Sequence, residues 1–217
     1  MTACSTPSKD CKLCPRLAAF RQKNRKEFSD KFNAPVPSFG ADTAELLVVG
    51  LAPGLKGANF SGRPFTGDYA GDLLYPTLAK FGFAKGDYGR RADDGFTLIN
   101  ARITNAVRCV PPENKPVGEE INKCRPFLES EFAGLSRLKI IIALGTIAHN
   151  STLKALGFSP TAYKFGHKKH YKLTPEKSVK RPVLLIDSYH CSRYNVNTGR
   201  LTAAMFEDVV RLAKDSL

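Results

Sequence analysis

Two sets of side chains in this 217-residue sequence are spaced for chemistry. The first is thiols. Cys11 and Cys14 form a C-x2-C pair, and Cys109 and Cys124 have fourteen residues between them, with Pro111, Pro112 and Pro116 stiffening that stretch. Four thiolates suit a tetrahedral zinc ion or a [4Fe-4S] cluster, because soft sulfur serves both, and the spacing leaves that choice open. Cys4 and Cys191 are left over, and Cys4 reads as a loose N-terminal thiol.

The second set gathers around GLAPGLKGANFSGRPFTGDYAGD, a glycine-rich loop that follows an apolar run. Glycines at 50, 54, 57, 62 and 67 let backbone amides approach a flat or phosphorylated ligand. Phe65 can supply a stacking face and Asp68 a charge. Further along lie Asn105, whose amide offers both a donor and an acceptor, and His190 followed by Ser192 and Asn195. Each has an ordinary explanation alone: Asp68 could cap the helix that follows, and Asn105 could be a turn residue.

The elements that would position these residues follow from periodicity. Strands are expected over residues 45–49, 96–100, 138–144 and 182–187, and helices over 70–81, 117–132, 146–156 and 199–217. A basic helical stretch runs from the first thiol pair to about residue 32. Short apolar strands alternating with helices predict one α/β domain, with a mainly parallel four-stranded central sheet covered by helices on both faces. Ligands of such sheets bind at the carboxyl ends of the strands. The Gly50 loop, the Asn105 segment and the His190 segment all fall there.

Composition narrows the partner. Lys and Arg number 33 against 20 Asp and Glu, a formal charge of +13 that concentrates polyanions. The charge is spread along the chain, which favours a groove lined by several loops over a membrane anchor. Lys56, Arg63, Lys168, Lys169 and Arg200 are candidate phosphate contacts, and GHKKHYK is the densest basic patch. Five neutralised phosphates would give a slope of roughly −4 to −5 for log affinity against log salt. The first residues carry no apolar stretch of the signal-peptide kind, so a cytoplasmic protein is expected, at the nucleoid if its polyanion is DNA.

The segments CKLCPRL, GLAPG, GRPFTGDYAGDLLY, TNAVRCVPPENKP, LGTIAH and HCSRYNVNTGRLT occur in an order that resembles the iron-sulfur uracil-DNA glycosylases of the family 5 type. The resemblance runs from Cys11 to about Met205. Family 4 enzymes resemble the chain less at the first motif, where they carry an acidic residue and this chain has Leu51. Other uracil and mismatch glycosylases place Asp or Asn where this chain has Ala52.

The resemblance implies a single uracil-DNA glycosylase-like domain, acting as a monomer on DNA that contains uracil or other deaminated bases such as hypoxanthine. It implies a structural [4Fe-4S] cluster on Cys11, Cys14, Cys109 and Cys124. It assigns Asp68 and His190 to catalysis, with Asp68 serving the cationic sugar or the attacking water and His190 donating to the departing base. Gly50, Leu51, Ala52, Pro53, Gly54, Phe65, Asn105, Ser192 and Asn195 would bind substrate. Phe65 would stack on a base rotated out of the duplex while Asn105 reads its edge. Tyr194 stands at the position of the wedge that fills the vacated gap, and Arg193 would help Ser192 hold a flanking phosphate. The chain departs from the family at Cys191, where proline is usual. A rival reading is a non-catalytic iron-sulfur binder of damaged or single-stranded DNA, and a second is a structural zinc protein that binds RNA.

Overall fold

A computed structural model of the chain describes residues 4–176, 179 and 181–217. Helix α1 (Pro15–Glu27) begins with a proline, whose missing N–H costs nothing in a first turn. Edge strand β1 (Phe39–Gly40) and the first long strand β2 (Leu46–Gly50) follow. One turn of helix, α2 (Ala58–Ser61), and α3 (Tyr69–Lys80) lead to a small hairpin, β3 (Ala84–Lys85) and β4 (Thr97–Leu98), and then to β5 (Ala101–Asn105). The remainder runs α4 (Gly118–Gly134), β6 (Ile140–Leu144), α5 (Thr146–Ala155), β7 (His170–Leu173), β8 (Val183–Ser188), α6 (Arg193–Asn197) and α7 (Ala203–Asp215).

The main sheet has the order β1-β5-β2-β6-β8-β7. Its four inner strands are parallel, with Gly50 opposite Asn105 and Leu144 opposite Ser188. Among the described residues the sheet has six strands, not the expected four, because antiparallel β1 and β7 close its two edges. Both edges escape periodicity analysis: β1 is two residues long, and β7 lies within the basic patch and exposes His170 and Lys172.

Apolar residues alternate between the two faces of the inner strands, as a pleated sheet requires. Leu46, Val48, Ile103 and Ile142 face Leu74 and Leu78 of α3 and Phe206 and Val210 of α7. Leu47, Val49, Ile141 and Leu185 face Leu128 and Phe132 of α4 and Leu153 of α5. Each such side chain, fully buried, contributes about 1.5–3 kcal/mol. These two layers hold the loops at the carboxyl end of the sheet.

Two expected elements shift. The second parallel strand is 101–105 and not 96–100, because Asn100 has φ +50 and breaks the chain direction there. Its side chain accepts from the Glu45 N–H at 3.0 Å and donates to the Glu45 carboxylate at 2.9 Å. Residues 97–98 go to the hairpin instead. The last helix starts at Ala203, capped by the Thr202 hydroxyl, which accepts from Met205 N–H at 3.2 Å. No described helix is long and apolar enough to cross a membrane.

Candidate active site

Strand β2 lies between β5 and β6, so the chain leaves it toward β5 and later crosses to its other side. Such a reversal opens a crevice between the loops that follow neighbouring strands. Here that crevice is a cavity of about 440 Å3, walled by Phe65, Asp68, Asn105, His190, Ser192 and Arg193. Leu51, Ala52 and Gly54 of the first motif also line it.

Asp68 stands at the first position before α3 but does not cap it. Its carboxylate turns back across the loop and accepts from Ala58 N–H at 3.1 Å. A Cβ on Gly54 or Gly57 would fall inside that carboxyl group, so both positions must lack a side chain. Burial pushes the Asp68 carboxyl above its ordinary range, against the N–H groups of Ala58 and Gly54, which favour the anion.

Asn105 ends β5 and is 3% exposed, and its Oδ1 has no protein partner. A buried acceptor without a partner is costly unless something else supplies the donor. Gly50, directly opposite, leaves the room: a Cβ there would meet both the Asn105 amide and the Phe65 ring. Phe65 itself is held at φ +58, a backbone conformation that side chains rarely adopt. Its ring centroid lies 6.0 Å from that of His190, the planes tilted by 34°. Burial pulls His190 down to about 4, so at neutral pH it is an uncharged imidazole with one N–H to donate.

The loop after β8 is fixed by its own side chains. The Ser192 hydroxyl caps α6, accepting from Asn195 N–H at 3.4 Å, and Asn195 Nδ2 donates to the His190 carbonyl at 2.9 Å. Asn195 therefore braces the loop from behind and does not line the cavity. Pro53 and Gly50, both buried, do not line the cavity either. Cys191 is fully buried, and its thiol is pushed far up by burial, so it is a core residue and no reactive thiol.

The basic candidates separate. Lys56, Lys169 and Arg193 are exposed, and Arg200 is exposed with its guanidinium 4.7 Å from the Tyr189 ring centroid. Lys168 is exposed but pairs with Asp208 at 3.1 Å. Arg63 must be removed from the phosphate set: it is 5% exposed and donates to both oxygens of Asp94 at 2.8 and 2.7 Å. Tyr194 is 69% exposed, beside the Arg193 guanidinium that lies 5.2 Å from the Tyr69 ring centroid.

Sequence reasoning missed three lining residues, Tyr69, Ala70 and Asn114. Tyr69 adjoins Asp68, and Asn114 sits in the proline-rich stretch between Cys109 and Cys124, at φ +57. It also missed a buried pair behind the site, His149 and Asp187, with Nδ1 and Oδ1 2.7 Å apart.

Cys11, Cys14, Cys109 and Cys124 line one pocket between α1, the loop after β5, and α4, with Leu17, Val107 and Phe127. Arg21 Nη1 donates to Cys109 Sγ at 3.5 Å, and Arg108 N–H donates to Cys124 Sγ at 3.4 Å. Burial pushes the Cys14 thiol up to about 11 and the Cys109 thiol up to about 12. Among the described residues, no three His, Cys, Asp or Glu are gathered into a group that could hold a metal ion.

The family model described as the uracil DNA glycosylase superfamily matches residues 37–214. A type-5 uracil-DNA glycosylase of Thermus thermophilus is 41% identical over 209 residues, covering 94% of this chain and 92% of that protein. A type-5 enzyme of Mycobacterium tuberculosis is 39% identical, covering 94% and 77%. A type-4 uracil-DNA glycosylase of Pyrobaculum aerophilum is 35% identical over 150 residues, covering 69% and 62%. With its crevice at the reversal of strand order and full-length likeness of this kind, the chain belongs to the uracil DNA glycosylase superfamily and, within it, to the type-5 uracil-DNA glycosylases.

Proposed function

We propose that this protein removes uracil, and other deaminated bases such as hypoxanthine, from DNA by hydrolysing the bond between base and deoxyribose, leaving an abasic site. The observation that carries the reading is the convergence on one cavity of an aromatic face (Phe65), an unpartnered amide (Asn105), a neutral imidazole (His190) and a buried carboxyl (Asp68).

A base rotated out of the stack enters this cavity. Phe65 packs on its face. Asn105 Oδ1, lacking a protein partner, accepts from the N3–H of uracil while its NH2 donates to O4. As the C1′–N1 bond breaks, its electron pair passes to the base and the sugar takes on oxocarbenium character. His190 N–H donates to the oxygen on which the base's negative charge develops, an interaction of about 3 kcal/mol in the transition state. Ionised Asp68 stabilises the sugar cation and orients the water whose oxygen bonds to C1′, the surplus proton of that water ending on the departed base anion. Exposed Lys56, Lys169, Arg193 and Arg200 hold phosphates, and Tyr194 fills the gap in the stack.

We infer that the four-cysteine pocket holds a [4Fe-4S] cluster on Cys11, Cys14, Cys109 and Cys124, with a structural purpose: joining α1 to the loop after β5 and to α4. The donor set of four sulfurs with N–H groups aimed at two of them supports this reading.

The test is release of free base from uracil- and hypoxanthine-containing oligonucleotides by wild type and by Asp68→Ala. Release by wild type that falls at least ~100-fold in the variant supports the reading. Binding without release from either substrate overturns it in favour of a non-catalytic DNA binder.

A further inference from the structure

We propose that Arg63, Asp94 and Tyr88 are positioning residues for this reaction: the β3–β4 hairpin is a brace that holds Phe65 in its left-handed conformation with its ring toward the cavity. The inference rests on the reading of Phe65 as the surface on which the base stacks.

The segment from Arg63 to Gly67 is gripped from outside at nearly every residue. Arg63 Nε donates to Thr66 Oγ1 at 2.6 Å, and the Tyr75 hydroxyl donates to the Pro64 carbonyl. The Tyr88 hydroxyl donates to the Phe65 carbonyl at 3.3 Å and accepts from Gly67 N–H at 3.1 Å. One hydroxyl thus spans Thr66 and fixes the peptide groups on either side of it, the first of which is the carbonyl of Phe65, the residue at φ +58.

Tyr88 and Asp94 belong to the loop between β3 and β4, which contributes no residue to the cavity wall. That loop is fastened to Arg63. Asp94 receives the guanidinium through two parallel hydrogen bonds and also accepts from Gly89 N–H at 2.9 Å and Phe96 N–H at 3.0 Å. The Arg63 guanidinium lies 5.1–6.0 Å from the ring centroids of Phe39, Tyr75, Tyr88 and Phe96. Both charged side chains are about 5% exposed, at 5% and 6%. A buried pair in which every guanidinium nitrogen and both carboxylate oxygens are hydrogen-bonded has one low-energy geometry, and losing either partner strands the other in the interior. Such a pair is weak as a source of stability and well suited to fixing a register. The register it fixes is that of Phe65, and through Gly67 that of Asp68.

The experiment compares wild type with Tyr88→Phe, which deletes only the spanning hydroxyl, and with Arg63→Lys, which keeps the charge and loses the fork. Single-turnover base release from a uracil oligonucleotide, affinity for the same DNA and melting temperature are measured on each. Release is expected to slow about 10-fold in Tyr88→Phe and more in Arg63→Lys, because a displacement of about 1 Å at a site costs factors of this size. DNA affinity is expected to stay within about twofold in both, since Arg63→Lys keeps the charge, Tyr88→Phe removes none, and neither residue lines the cavity. Folded variants that release base at the wild-type rate overturn the brace, as does a loss of rate that only follows the melting temperature. No release by wild type overturns the activity itself, and the brace with it.

Discussion

The carboxyl group of Asp68 occupies the space into which a side chain on Gly57 would project. The two residues lie on opposite arms of one loop, and the absence of a Cβ on the first arm lets the carboxylate on the second fold back to the Ala58 N–H. Gly57→Ala is therefore expected to evict Asp68 and to lower base release about 100-fold, the same loss expected of Asp68→Ala, while DNA affinity is retained. Single-turnover kinetics beside a binding titration check this. A Gly57→Ala enzyme at the wild-type rate would show that Asp68 works from another position.

Burial raises the Asp68 carboxyl above its ordinary value of 3.8. The folded state binds that proton more tightly than the unfolded chain, so stability falls as pH rises through the folded value and the anion at neutral pH is a liability. Asp68→Asn is expected to lose base release yet melt higher than wild type at pH 7, an advantage that shrinks as pH falls through the raised folded value and is gone below about 3.8. Asp68, raised by burial, and His190, pulled down to about 4, are both expected to contribute to the acid limb of kcat/KM. Calorimetry and a pH-rate profile test both statements.

His149 Nδ1 faces the Asp187 carboxylate, and its Nε2 lies 2.8 Å from the Tyr163 carbonyl oxygen. Both partners accept, so both ring nitrogens carry protons and the imidazole is charged. Burial works against that charge, but Asp187 and Tyr163 outweigh it and hold the pKa above 6.5. The stabilisation is complete below about pH 6.5 and is lost as pH rises through the folded value. His149→Ala is expected to cost about 3 kcal/mol at pH 6, with a smaller penalty in alkaline buffer. Denaturant unfolding at the two pH values decides; a pH-independent difference would mean a neutral histidine.

Burial of Arg63 removes one of five expected phosphate contacts. Lys168 is paired with Asp208, so the contacts are Lys56, Lys169, Arg200 and the exposed Arg193, and log affinity is expected to fall with log salt at a slope of about −3.6. Replacing Lys56 or Lys169 by Ala should reduce that slope by about one contact each, measured by fluorescence anisotropy across a salt series.

Protein purified without oxygen is expected to be brown and to carry about four irons per chain. Cys109→Ala and Cys124→Ala are expected to lose the colour and melt lower, because α1 and α4 lose their common anchor. A colourless protein with one zinc per chain would replace the cluster reading.

Much of this molecule is legible in one dimension. The apolar runs at 46–50, 140–144 and 183–188 are buried almost throughout, and a chain that alternates such runs with helices has few ways to cover them other than a parallel sheet with two helical layers. The candidate site was equally visible, since glycine, aromatic and acid fall within one loop after the first long strand. Three-dimensional packing decided the rest. The main-sheet strand begins at Ala101 because Asn100 finds its partners in Glu45, far away in sequence. Arg63 reads as a phosphate ligand because charge is a property of the residue, whereas its burial depends on Asp94 and four rings that only folding brings around it. Asn195 and Cys191 likewise look available for chemistry until the turn of α6 commits one to the His190 carbonyl and the core encloses the other. Residue type and spacing thus determined which groups could do the chemistry; the partners each group meets decided which of them face the cavity and which hold it in shape.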